Sequence, residues 1–204
     1  MGNDIATLQT PLVIRDVKVI ADMADACLFK AWSSSKNKAF ITDMAEQEFR
    51  KDAQWKTIHP LIAEGFIEVT RFEAEEIPAL NELKQAHGIN IIDASIVCLC
   101  RNKSGVVLTE DPKLRATCVK ESVSCSEILW VFDHLLHTGN LQFSAALEGL
   151  NMLTSRGSRL QLVEVQKRME AWARKLTLPP TPAPTSPSGS QLKCKPPKTA
   201  SPEI

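Results

Sequence analysis

The sequence predicts a three-layer α/β/α sandwich built around a mostly parallel sheet. Short apolar runs of strand length recur along it, VKVIA from Val17, AFI from Ala39, FIEVT from Phe66 and VVL from Val106. Each is followed by a segment whose apolar residues return at helical spacing. The links between them are short, so strand and helix alternate as they do when helices cover both faces of a parallel sheet.

Taken in order, residues 1–15 read as a flexible arm, polar through Pro11. Val17 to Ala21 is the first strand expected, with Asp22 at its carboxyl end, where open α/β sheets place their ligands. Ala24 to Trp32 reads as one helix with Ala24, Cys27, Leu28 and Ala31 on a single face, and SSSKNK from Ser33 is a solvated link. Thr42 is placed to cap a helix that starts at Asp43 and carries Glu48, closed by Arg50 and Lys51.

A helix over Trp55–Ala63, interrupted or started around Pro60, leads through Gly65 to the strand at 66–70. The acidic run Glu73, Glu75, Glu76 opens a polar helix that Gly88 terminates. The segment INIIDASIVCLC from Ile89 predicts a buried helix with Asp93 at its start. Val106 to Leu108 is a buried-looking strand, and a short polar helix follows Asp111. Val123 begins a last strand, and helices over Glu127–His137, Phe143–Leu153 and Leu160–Lys175 complete the ordered chain.

The boundaries that follow are an α/β domain over 16–141, C-terminal helices packed on it over 142–176, and a disordered Pro/Ser/Lys tail over 177–204. Eight of the twelve prolines fall after Leu178, among few apolar residues, so the tail cannot bury enough surface to fold.

With 204 residues and 44% hydrophobic content, the chain can bury one sizeable core. Its 24 basic and 24 acidic residues cancel, which excludes a general attraction for polyanions and leaves only local patches. The six cysteines read as reduced core residues, apart from Cys194 in the tail, and Cys98-x-Cys100 lacks the spacing of a metal motif. No leader or long apolar span is evident, so a cytoplasmic protein with no membrane contact is expected.

Acids at the junctions of strands and helices are poor core material and good oxygen ligands. Asp22, Glu48, Asp93 and Asp111 occupy four such junctions. Gathered at one sheet edge they would repel one another unless a cation neutralised them, and Mg²⁺ or Mn²⁺ suits ligands of this type. The chemistry such a site serves is metal-assisted phosphodiester hydrolysis. Caps and surface charges account for the same acids equally simply.

Residues Val17 to about Leu141 resemble a PIN domain, a metal-dependent ribonuclease fold, in VKVIADMADACLF, ITDMAEQEF, INIIDASIVCLC and VVLTEDPKLR. The resemblance implies that Asp22, Glu48, Asp93 and Asp111 are both the catalytic and the metal-binding residues, with Thr109 as an associated hydroxyl. Asp25 offers a second registration for the first acid and Glu46 for the second, and Glu110 adds a negative charge beside Asp111. RNA is the implied substrate, positioned by Thr109, Lys113 and Arg115. A toxin component of a toxin–antitoxin system is the implied role, with an antitoxin protein and a second copy of the chain as partners. The alternative is a PIN-like domain without catalysis that binds RNA or another protein.

Overall fold

The computed structural model describes residues 10–158 and 160–177. The tail expected over 177–204 lies outside them except for Thr177, and so do residues 1–9 of the arm expected over 1–15. Five strands form one sheet: β1 (Leu12–Ile14), β2 (Ala39–Thr42), β3 (Ile67–Thr70), β4 (Val106–Leu108) and β5 (Ser124–Ser126). Their order is β3-β2-β1-β4-β5 and all four pairings are parallel, so the expected α/β/α sandwich is present.

The first strand differs from the expectation. The arm assigned to residues 1–15 contains the central strand of the sheet, and the run VKVIA is helical, in α1 (Val17–Asp25). Leu12, Val13 and Ile14 are each fully buried, the pattern of a strand covered on both faces. Farther along, Val19, Ile20 and Met23 face inward at helical spacing, and Lys18 pairs with Asp22 one turn on at 2.7 Å. Period decides the matter, because VKVIA alternates like a strand only over Val17, Lys18 and Val19.

The single helix expected over 24–32 is also two. α1 stops at Asp25, Cys27 takes the left-handed conformation at φ 56°, and α2 (Leu28–Ser34) starts in a new direction. Cys27 is exposed at this joint, whereas Cys100 and Cys118 are buried thiols as expected.

The remaining elements follow the sequence closely: α3 (Asp43–Phe49), α4 (Trp55–Ala63), a 3-10 turn at Ala74–Glu76, α5 (Ile77–His87), α6 (Ile91–Lys103), α7 (Pro112–Lys120), α8 (Ile128–His137), α9 (Phe143–Ser155) and α10 (Leu162–Thr177). Thr42 caps α3 through Ala45 N at 3.1 Å. Gly88 ends α5 at φ 60°. α6 lies across β1, β2 and β4, while α1 packs with α4, α8 and α9. The core between them includes Ile14, Ile20, Trp32, Ile41, Ile96 and Phe132. No helix among the described residues is long and apolar enough to cross a membrane.

From β1 the chain moves outward through β2 to β3, then returns past β1 to start β4 on its other side. The two halves of the sheet therefore part between β1 and β4. In parallel sheets that point opens a crevice beyond the carboxyl ends of the strands.

Candidate functional site

The ends of β1 and β4 are tied together by backbone and side chain. Arg15 N donates to Leu108 O at 3.2 Å, which extends the ladder by one step. Asp16 then begins α1 from extended backbone, but its carboxylate does not cap that helix. It turns to the neighbouring strand end and accepts from Thr109 Oγ1 at 2.7 Å and from Glu110 N at 2.9 Å. Thr109 is fully buried, and its hydroxyl oxygen also accepts from Asp111 N at 3.1 Å.

Asp16 thus holds the position expected of Asp22. The expected placement of Asp22 at a strand end is corrected by the helical run before it, since six residues of helix set the two acids about 9 Å apart along the axis. Asp22 is 7% exposed and accepts from Lys18 Nζ at 2.7 Å and Ser158 Oγ at 2.9 Å, fastening α1 to the turn after α9. The competing Asp25 pairs with Arg156.

Asp93 sits in the first turn of α6, whose N-cap Asn90 accepts from Asp93 N at 2.7 Å. The helix is held to β2 by Ser95 Oγ, which donates to Thr42 Oγ1 at 3.0 Å. This orients the 6%-exposed Asp93 toward Arg15. Arg15 Nε donates to Asp93 Oδ1 at 2.7 Å, and its two terminal nitrogens donate to the two oxygens of Glu48, each at 3.3 Å. All three guanidinium nitrogens are committed to carboxylates. Burial opposes the Arg15 charge, but the hydrogen bond and charge of Asp93, with the smaller contribution of Glu48, outweigh it and raise its pKa. The other helix-borne acid, Glu46, faces away and pairs with Arg50 at 2.8 Å.

Asp111 is exposed and caps α7, accepting from Lys113 N at 2.7 Å and Leu114 N at 3.3 Å through Oδ1. The basic residues beside it are engaged within the protein: Lys113 Nζ donates to Gly88 O, and Arg115 pairs with Glu127.

The structure therefore brings Asp93 and Glu48 onto one guanidinium and joins Asp16 to Thr109 and the Asp111 backbone. It does not bring Asp22 to this edge. Sequence reasoning missed Arg15 and Asp16, although the triplet Leu12-Val13-Ile14 followed by Arg-Asp was the available signal. As arranged, Arg15 stands between Asp93 and Glu48, and Asp111 uses one oxygen to cap its helix. Among the described residues no group of three or more His, Cys, Asp or Glu side chains is placed to hold a metal ion.

No family model and no curated protein matches the chain. Among solved structures it is similar to the crystal structure of PAE2754 from Pyrobaculum aerophilum, at 14% identity and a TM-score of 0.46, over 65% of this chain and 99% of that one.

Proposed function

We propose that this chain is a PIN-like domain that works by binding, as a protein-interaction module without nuclease activity. The observation that carries it is the Arg15 guanidinium bonded to both Asp93 and Glu48. Carboxylates neutralised in this way are satisfied without a metal. A protein partner is favoured over RNA because formal charge is balanced and the two residues expected to meet phosphate, Lys113 and Arg115, bond to Gly88 and Glu127 instead.

One observation favours a second reading, an Mg²⁺- or Mn²⁺-dependent ribonuclease of the toxin type, with an antitoxin and a second copy as partners. Asp16, Asp93 and Asp111 all follow or face the carboxyl ends of strands flanking the sheet's parting point, the position where such folds do chemistry.

A mixed single-stranded RNA pool incubated with Mn²⁺, with Mg²⁺ and with chelator separates the two. The binding reading expects wild type and Asp93→Asn to leave the same intact RNA in every condition. Metal-dependent cleavage by wild type that Asp93→Asn abolishes would overturn it and establish the nuclease.

A further inference from the structure

A cation already stands at the edge of this sheet, and it belongs to the chain. We infer that Arg15 is the resident counter-ion of the Asp93–Glu48 pair and holds the place that a divalent ion would need. This rests on the binding reading proposed above and supplies its physical basis.

The geometry is that of a built ion site. The Asp93 side chain is 9% exposed and that of Arg15 is 13% exposed, so neither charge is adequately solvated by water alone. Asp93 is the deep member of the pair and Glu48, with its side chain 46% exposed, the outer one, so the buried carboxylate is the one that most needs positive charge beside it. A planar guanidinium supplies it with fixed directions, one nitrogen to Asp93 and two to Glu48. It is also weakly hydrated for a cation, so it tolerates a half-buried position better than an ammonium. Its root is fixed, because Arg15, next after the central strand, donates its backbone N–H to Leu108 O at the end of β4. An incoming divalent ion would have to break three charge-assisted contacts and then lie beside the displaced positive charge.

The consequence is that metal affinity at this edge is set by Arg15 rather than by a lack of acids. Removing that side chain leaves Asp93 and Glu48 facing each other with no counter-ion and makes the pair a cation site.

The test uses the full chain as wild type, Arg15→Met and the double variant Arg15→Met/Asp93→Asn, with Mn²⁺ binding followed by electron paramagnetic resonance and melting followed with Mn²⁺ and with chelator. Wild type is expected to melt at one temperature in both solutions and to bind Mn²⁺ only weakly. Arg15→Met is expected to melt lower in chelator, to recover with Mn²⁺, and to bind the ion roughly tenfold or more tightly than wild type. The double variant, relieved of the buried charge, is expected to melt above Arg15→Met in chelator and to gain nothing from Mn²⁺.

Stoichiometric Mn²⁺ binding by wild type with a raised melting temperature would overturn the inference, as would an Arg15→Met protein that melts like wild type and ignores the ion. Should Arg15→Met not fold, a folded double variant supports the counter-ion role, and failure of both overturns it. RNA cleavage is scored separately on wild type, so loss of the binding reading is distinguishable from loss of this one.

Discussion

Asp16 accepts the Thr109 hydroxyl at 2.7 Å, a bond between residues 93 positions apart that joins the carboxyl ends of the two strands flanking the sheet's parting point. The same hydroxyl receives Asp111 N. Thr109 is therefore a hinge pin for three segments. Thr109→Val keeps the shape, removes both bonds and leaves Asp111 N without its acceptor. The expected cost is about 1–3 kcal/mol in urea unfolding, with little change in the slope against denaturant. A cost near zero would show that water replaces the hydroxyl.

The two acids on Arg15 are expected to differ sharply. Asp93→Asn removes the negative charge from a buried pair and leaves the guanidinium with the half-exposed Glu48 as its carboxylate partner, at up to roughly 3–5 kcal/mol. Glu48, with its side chain 46% exposed, lies in screened surroundings, so Glu48→Gln is expected to cost about 1 kcal/mol or less. Urea unfolding of both variants at low and high salt checks this, with the salt dependence larger for Glu48→Gln.

Gly105 lies where the chain enters β4, and a Cβ there would sit 2.5 Å from Pro11 O. That carbonyl is bonded to Val106 N at 2.9 Å, so it cannot retreat without loosening the β1–β4 ladder. Gly105→Ala is expected to destabilise by about 1–3 kcal/mol. Gly65→Ala, with open space around its Cβ position and a positive φ of 78°, isolates the backbone part of such a change. Thermal unfolding of the two variants separates crowding from strain.

Burial pushes the Cys100 and Cys118 thiols up to about 12. Both are therefore expected to react with a thiol reagent only on unfolding, ahead of which the exposed Cys27 reacts. The sign for stability follows from the raised value. The contribution is complete below the ordinary thiol pKa of about 8.5 and is lost as pH climbs toward 12, because the unfolded chain releases protons that the folded one keeps. No tyrosine titrates in the same range. Urea unfolding at neutral pH and near pH 10 is expected to show a fall that Cys100→Ala/Cys118→Ala reduces.

Most of the fold was legible because its signals are local. Thr42 before Asp43, Gly88 after a helical run and the apolar triplet at Val106 each mark an element boundary with one or two residues. The first strand was not legible in the same way. Leu12–Ile14 is three residues long and sits directly behind Pro11, whereas VKVIA offered a longer apolar run with the wrong period. That displacement carried the first acid of the expected site from Asp16 to Asp22.

Asp93 was readable as the acid in the first turn of a buried helix. Its partner was not, because an arginine beside an aspartate at a strand end gives no hint of which way its side chain turns. Only the packing of α6 against β1 and β2, with α3 set beside α6 and β2, brings Asp93 and Glu48 to the same guanidinium.

The central position of β1 has a consequence for the chain as it is made. Leu12–Ile14 can pair with Ala39 and Phe40 early, but its other edge waits for Val106–Leu108. A nascent chain that has not yet emitted β4 therefore carries a fully apolar strand with one open edge, the kind of surface that recruits foreign strands. Pausing of translation through α5 and α6 is therefore expected to raise aggregation more than pausing after β4.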